Sequence, residues 1–152
     1  MIIAPITDPV SVDHLTNIAP DGITRFTMLQ GSVKGALISG TRLVSQARAN
    51  HQLGIIESLA LGQALLSVGL LSTTIKQGTR LGLQINCTGP LKGLSVEASW
   101  DGNVRGYLFT DSILIDKPLE SFDLQPFIGN GTLSVIRKDE RSEPYTGHIQ
   151  LV

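Results

Sequence analysis

The residue types that most often carry catalysis are scattered through this sequence rather than grouped. The three histidines, His14, His51 and His148, lie far apart, and no two of them have the i, i+4 spacing of a helical metal site. Serine and acidic residues are present, but no serine sits in a G-x-S-x-G motif and no catalytic-cysteine signature occurs. We therefore expect surface or boundary histidines, no metal site and no enzyme activity.

The sequence contains a single cysteine, Cys87. One cysteine excludes an internal disulfide and any zinc or iron–sulfur site built from several thiolates of this chain. The residue lies on the apolar side of an alternating segment, which is typical of a buried, inert thiol; a reactive thiol is the alternative. Gly129 and Gly131 could open a phosphate-binding loop, but Ser134 replaces the last glycine of that motif and a strand follows where a helix is required. We predict a turn there and no cofactor.

The N-terminal part of the chain divides into an arm and an extended segment. Residues 1–22 hold three prolines and no steady period, so we interpret them as an arm. Residues 23–39 alternate as one long strand. Phe26 and Met28 have the opposite parity to the apolar residues from Leu29 onward, which predicts a bulge or break between Met28 and Leu29.

A central helix is predicted from an uncharged stretch at 58–75. Its 18 residues reach the lower length limit of a membrane span. Its serines, threonines and Gln63 lower its hydrophobicity, so we expect a helix buried inside the protein and no membrane partner. Gly62 and Gly69 have no side chains, so other parts of the backbone could pack closely against this helix at these positions. A shorter helix is predicted at 41–54.

After the helix, the period changes to the two-residue alternation of strands. Strands are predicted at 81–87, 94–100 and 104–110, from 133, and at 145–152. Turn residues separate the first three strands, as in an antiparallel meander. The last strand still alternates where the sequence stops, which predicts an uncovered sheet edge. The predicted fold class is α+β, with antiparallel β-sheets packed on a largely buried central helix.

Composition and charge favour a folded protein whose partners are other proteins. The 152 residues are 41% hydrophobic and 16% charged, which argues against disorder. With twelve basic and thirteen acidic side chains, the protein has no excess of positive charge to attract the phosphates of a nucleic acid. The sequence start lacks the pattern of a signal peptide, so we expect a cytoplasmic protein. Apolar positions exceed what one small sheet needs, and an exposed apolar surface usually binds protein.

Short glycine-based motifs follow one another along most of the chain. They lie at 31–35 (GSVKG), 67–76 (SVGLLSTTIK), 88–91 (TGPL), 104–107 (VRGY), 128–133 (IGNGTL) and 145–147 (YTG). In this order they resemble the N-terminal domain of the 33-kDa chaperonin family, the redox-regulated heat-shock holdases of bacteria. The resemblance covers residues 23–152 and leaves out the arm at 1–22.

The resemblance implies ATP-independent holding of unfolded proteins by a domain that also dimerises. In this family a linker and a C-terminal zinc domain with four cysteines follow, so we expect this chain to be an N-terminal fragment without the zinc site or the redox switch. The expected partners are unfolded proteins and a second copy of the chain. Two alternatives stay open: a structural or dimerisation module without chaperone activity, and an enzyme with an unrecognised site.

A long connection at 111–128 supplies the candidate client-binding residues. Two prolines interrupt it, and its large apolar side chains add to those of the meander. Clients are predicted to bind there and on whichever face of the meander is left open. The predicted client-binding residues are Leu119, Phe122, Leu124 and Phe127.

Overall fold

The structure, a computed structural model, describes residues 3–110, 112–115, 119, 121–140 and 142–151. The helices are α1 (Pro9–Asn17), α2 (Thr41–His51), α3 (Ile55–Leu71) and α4 (Gln125–Ile128). The strands are β1 (Gly22–Met28), β2 (Val33–Ser39), β3 (Thr79–Cys87), β4 (Gly93–Ser99), β5 (Val104–Leu108), β6 (Gly131–Asp139) and β7 (Ser142–Leu151). A tight turn lies at Leu29–Gly31, and a short 3₁₀ turn lies at Ser72–Thr74.

The strands form two antiparallel sheets. β1 and β2 pair as a two-stranded sheet, and the other strands form a five-stranded sheet in the order β5-β4-β3-β6-β7. β3 lies at its centre, where Leu83 faces Val96 of β4 on one side and Val135 of β6 on the other. The predicted α+β class is confirmed, and the predicted meander corresponds to β3, β4 and β5.

α3 is the core helix predicted from the uncharged stretch. Its Leu61, Leu65 and Val68 side chains are at most 2% exposed. They share one hydrophobic core with Leu94 and Val96, whose side chains project from the face of β4 that packs on α3. Burying a large aliphatic side chain contributes about 1.5–3 kcal/mol, so this contact between helix and sheet stabilises the domain strongly.

Solvent reaches the uncharged stretch along one narrow face. Its exposed positions are Gln63, Ser67, Leu71 and Thr74. Their spacing of three or four residues places them one above the other, so the remaining faces are at least partly buried. The helix ends at Leu71, and a 3₁₀ turn completes the segment. By length and composition Ile55–Thr74 would suffice to cross a membrane, but half of its most apolar window is buried inside the protein, as in a core helix.

The N-terminal arm contains a helix that the sequence analysis does not predict. α1 begins where the Asp8 side chain accepts the backbone N–H of Ser11 at 2.8 Å, with Pro9 in the first turn. Three prolines indicate an irregular segment, yet proline is favoured at the first position of a helix. The chain before α1 is tied to α2, because Asn50 Oδ1 accepts the N–H of Ala4 at 2.9 Å.

Residues 23–39 form a hairpin rather than one long strand, so that prediction is wrong. β1 and β2 pair along their full lengths. The chain reverses through Leu29 and Gln30, whose φ angles of 51° and 56° lie in the left-handed region. The predicted break after Met28 is therefore a complete reversal. The reversal explains why the apolar residues change from even to odd positions after Met28, because apolar residues before and after the turn then lie on the same face of the hairpin.

Candidate binding surface

One face of the β1–β2 hairpin is apolar and open to solvent. Phe26 and Met28 on β1 share this face with Val33 and Leu37 on β2, as the pairing register requires. Their exposed fractions run from 39% to 69%. Gly35 lies under the Phe26 ring, where a Cβ atom would clash with the ring. We call these five residues the hairpin face.

The opposite side of the hairpin attaches it to the rest of the protein. Ile38 is half-buried there, and its Cδ1 atom would lie 2.9 Å from a Cβ placed on Gly69 of α3. Asp21, just before β1, accepts the backbone N–H groups of Arg42 and Leu43 at 3.1 and 2.6 Å. These bonds satisfy donors in the first turn of α2, which lacks a side-chain cap of its own. The base of the hairpin is thus fixed while its apolar face points away from the core.

The tip of the hairpin adds another exposed apolar side chain. Leu29 is 74% exposed, and its left-handed backbone costs about 1–2 kcal/mol relative to an ordinary conformation. The turn is closed by the Ser32 N–H, which donates to the Leu29 carbonyl at 3.1 Å. Because Leu29 is exposed, burial in the core does not compensate for its strained backbone. Residues with such unusual backbone conformations often lie at functional sites.

The four predicted client-binding residues occupy different environments. Phe122 is 74% exposed. Leu124 packs against the hydrophobic core, and Phe127 is half-buried in α4, where its carbonyl accepts the Leu91 N–H at 2.9 Å. Leu119 is half-buried. Of the four, Phe122 presents most of its side chain to solvent, whereas Leu124 and Phe127 also hold the connection against the sheet.

A buried carboxylate ties the connection to α3. Glu57, in the first turn of α3, is 2% exposed, and its Oε1 atom accepts the Ile113 N–H at 2.6 Å. The N-terminus of a helix favours a carboxylate electrostatically. The second oxygen, Oε2, is buried without a hydrogen-bond partner among the described residues. The connection is therefore anchored at Ile113, although the next residue, Leu114, is 88% exposed.

A serine–histidine contact joins β6 and β7. Ser134 Oγ lies 2.9 Å from His148 Nδ1. In a hydrolase an acidic group orients such a histidine and backbone donors stabilise an oxyanion. Within the described ranges no carboxylate is hydrogen-bonded to His148, and no three His, Cys, Asp or Glu residues cluster as metal ligands. The contact is a cross-strand pair of the kind that stabilises sheets.

Cys87 lies at the end of β3 and packs against the hydrophobic core. Burial raises the pKa of its thiol, and a hydrogen bond with the Gly89 backbone lowers that pKa by a smaller amount. Because the thiolate is the nucleophile, a raised pKa leaves less of the reactive form at any given pH. This environment is the one predicted for an inert thiol.

We expect Cys87 to react with iodoacetamide more slowly than glutathione does near pH 8, with a rate that continues to rise to higher pH. The physical reason is the raised pKa together with partial burial. Mass spectrometry of samples labelled between about pH 7 and 10 measures the rate, and the urea-unfolded chain is the control. A pH profile that coincides with that of glutathione would contradict the expectation.

Comparison with known proteins identifies relatives along most of the chain. A family model described as Hsp33 protein matches residues 21–152. A 33 kDa chaperonin from Synechococcus sp. (strain JA-3-3Ab) is 35% identical over 149 residues, which cover 96% of this chain and 47% of the relative. A 33 kDa chaperonin from Acetivibrio thermocellus is 33% identical over 136 residues, covering 87% of this chain and 45% of the relative. The chain thus spans about half the length of these relatives.

The fold agrees with this relationship. The crystal structure of the 33 kDa chaperonin from Thermotoga maritima superimposes with a TM-score of 0.79 at 27% identity, covering 86% of this chain and 45% of that one. The glycine-based motifs, the family model and the fold therefore agree over the same part of the sequence. This chain belongs to the Hsp33, or 33 kDa chaperonin, family.

Proposed function

We propose that this domain holds non-native proteins without ATP by binding their apolar segments on the hairpin face. The observation that carries the proposal is the hairpin face itself, an apolar surface whose base is fixed to α2 and α3 while the surface faces solvent. Apolar contact is non-directional, so one surface of this kind accepts many sequences. Phe122, on the connection, offers a further exposed apolar contact. Membership of a family named for chaperone activity supports this role.

The experiment compares two double variants in the heat-induced aggregation of a client, followed by light scattering. Met28→Ser with Leu37→Ser removes two exposed side chains of the hairpin face, and Val10→Ser with Val12→Ser removes two exposed apolar side chains of α1. Burying a side chain of this size contributes about 1.5–3 kcal/mol. At least about tenfold more of the hairpin variant than of the wild type should therefore be required to halve the aggregation of the client. The α1 variant is expected to match the wild type.

Several outcomes of this experiment contradict the proposal. If the wild-type chain leaves aggregation unchanged at several-fold excess while circular dichroism shows it folded, the holdase proposal fails. If both double variants weaken suppression equally, the hairpin face is not the binding surface. Phe122→Ser, assayed beside them, measures how much the connection contributes.

We propose that this activity requires neither zinc nor a thiol switch within this chain. The family's zinc site needs four cysteines, and the donor set does not fit here because Cys87 is the only cysteine. We also propose a cytoplasmic location and the absence of enzyme activity, in agreement with the role of a holding chaperone. On the hairpin face, the proposed activity rests on apolar contact.

A second candidate role, self-association, is favoured by the free edge of β7. This strand ends the five-stranded sheet, and no further strand pairs with it among the described residues. Tyr145 and Ile149 are 70% and 55% exposed on one of its faces. From residue 3 onward, where the structure describes the N-terminal segment, this segment is bound to α2 through Ala4 and does not pair with the β7 edge. An open edge of this kind invites pairing with a second copy.

We therefore expect a homodimer in sedimentation experiments at micromolar concentration. Ile149→Lys is expected to yield a monomer, because a charged side chain on an edge strand opposes strand pairing. Val12→Lys on α1 places the same charge away from the sheet and is expected to leave the dimer intact. A wild-type chain that sediments as a monomer would exclude this mode of association.

A further inference from the structure

The second free edge of the large sheet, on β5, lies in a different environment from that of β7. β5 is the other end strand of the five-stranded sheet, and the described residues include no strand that pairs with its outer side. Unpaired backbone N–H and C=O groups on such an edge are a template for another extended chain. Which groups are free follows from the bonds at the ends of the strand.

Hydrogen bonds at the two ends of β5 fix the direction of its backbone groups. At one end the Phe109 N–H donates to the Gly93 carbonyl at 2.9 Å, and at the other the Ser99 N–H donates to the Asn103 carbonyl at 3.0 Å. Residues of an antiparallel strand face the neighbouring strand alternately, so the odd-numbered residues of β5 bond to β4. The groups that point to the free edge are those of Val104, Gly106 and Leu108.

A groove of about 760 Å³ runs along this edge between β5 and α2. Val104 and Gly106 line it on the β5 side. Leu43 and Ala47 of α2, with Leu65 of α3, line it with apolar surface. An approaching chain would therefore meet free backbone donors and acceptors on one side and aliphatic side chains on the other.

Two polar residues on the α2 side of the groove, Gln46 and Asn50, are already engaged in hydrogen bonds, and His51 lines the groove beside them. The Gln46 Nε2 atom donates to the Ala4 carbonyl at 2.7 Å, and Asn50 Oδ1 accepts the Ala4 N–H at 2.9 Å. The N-terminal segment thus bonds to α2, and Ala4 does not line the groove. The backbone of β5 supplies the regular row of unused hydrogen-bonding groups along the groove.

The carboxylate and the guanidinium that line the groove pair with each other, and His51 at the end of α2 is the remaining basic side chain of the lining. The carboxylate, on Glu97, accepts a hydrogen bond from Arg105 Nη2 at 2.8 Å, and both residues line the groove. A charged side chain that enters the groove would lose its hydration and find the carboxylate and the guanidinium there already paired, which is costly. The lining is therefore complementary to an uncharged segment.

The dimensions of the groove match one extended strand. At about 3.3 Å per residue, the five residues of β5 offer an edge of roughly 16 Å. A stable contact between two folded chains buries about 800 Å² on each partner, far more than the five-residue edge of β5 provides; the β7 edge has ten residues. These dimensions favour a single extended segment over a second folded copy of this chain.

We propose that the groove between α2 and β5 binds an extended, uncharged segment of a client protein as a sixth strand on β5. The inference rests on the proposed holding function and specifies a second mode of contact for it. On the hairpin face any apolar side chain suffices, whereas in the groove the client's backbone supplies the hydrogen bonds. Sequence tolerance is retained, because every residue except proline carries a backbone N–H.

The test is amide hydrogen exchange in the ¹⁵N-labelled full chain, with and without a capped hexapeptide of alternating valine and threonine. Strand addition is expected to slow exchange at Val104, Gly106 and Leu108 by at least about tenfold at saturation. Arg105 and Tyr107, already bonded to β4, are the internal controls and should change little. The same peptide with every amide N-methylated keeps the side chains but loses the donors, and it should bind at least about tenfold more weakly.

Three results would overturn the inference. The first is a uniform or absent change in exchange along β5, and the second is equal binding of the methylated peptide. The third is full protection of the three edge amides in the free protein, which would show that this chain or a second copy already occupies the edge. Light-scattering assays on the same samples separate the two proposals. If aggregation is suppressed but exchange is not slowed at Val104, Gly106 and Leu108, strand addition is refuted and the holding function stands. If exchange is slowed at these residues but aggregation is not suppressed, the holding function is refuted and strand addition stands.

Discussion

Replacing Gly93 with alanine is expected to lower the free energy of unfolding by at least about 3 kcal/mol. Gly93 begins β4 with a φ of 141°, a conformation that side chains rarely adopt. An added Cβ would collide with the Ile85 carbonyl oxygen of β3 and lie 2.8 Å from Cδ2 of Phe109. Backbone strain and overpacking each cost about 1–3 kcal/mol, and neither can relax without disturbing the ladder between β3 and β4.

Gly22→Ala is the matched control for this measurement. Gly22 also begins a strand, but no atom lies within 4 Å of the position that its Cβ would occupy, and its φ is not positive. Urea unfolding of the two variants should show a change within about 0.5 kcal/mol for Gly22→Ala and the large loss for Gly93→Ala. Similar losses for both would mean that the close contact at Gly93 does not limit stability.

Replacing Glu57 with alanine is expected to cost about 2 kcal/mol and to loosen the connection. The variant removes a hydrogen bond accepted by a carboxylate, a class of bond that contributes about 1.5–3 kcal/mol, and leaves the Ile113 N–H without its acceptor. It also removes a favourable carboxylate from the first turn of α3. Urea unfolding measures the stability, and amide exchange at Ile113 reports the loosening.

Glu57→Gln separates the hydrogen bond from the other effects of the substitution. Glutamine keeps the length of the side chain and an oxygen that can accept the Ile113 N–H. It should therefore retain slow exchange at Ile113 and lose less stability than Glu57→Ala. Equal acceleration of exchange in both variants would show that the carboxylate does not hold the connection in place.

The sequence predicts most of the central architecture because the relevant signals are local. An uncharged helical stretch and alternating segments separated by turn residues indicate α3 and the meander without any knowledge of long-range contacts. The sequence analysis misses α1 because its N-cap residue, Asp8, whose side chain bonds to the Ser11 N–H, lies among prolines, and prolines usually interrupt helices. The local signal is present, but proline has opposite meanings at the start and in the interior of a helix.

The hairpin face is harder to predict because its pattern is interrupted by an unusual turn. Two consecutive non-glycine residues, Leu29 and Gln30, adopt left-handed conformations, and propensity alone does not place leucine there. The parity change after Met28 is the signal that could have revealed the reversal. In the connection, by contrast, apolar composition selects Phe122, Leu124 and Phe127 alike, although exposure differs among them because core packing depends on the whole fold.

The central position of β3 has a consequence for how the domain folds. β4 follows β3 after a short turn, whereas β6 reaches it only after the whole connection, so that Cys87 comes to lie opposite Gly131. Closing that larger loop costs entropy, and long-range strand pairing is slow compared with local pairing. During synthesis β3, β4 and β5 also leave the ribosome before β6 and β7. The growing domain therefore passes through a stage in which its middle strand has a bare edge, and at that stage it is itself vulnerable to aggregation.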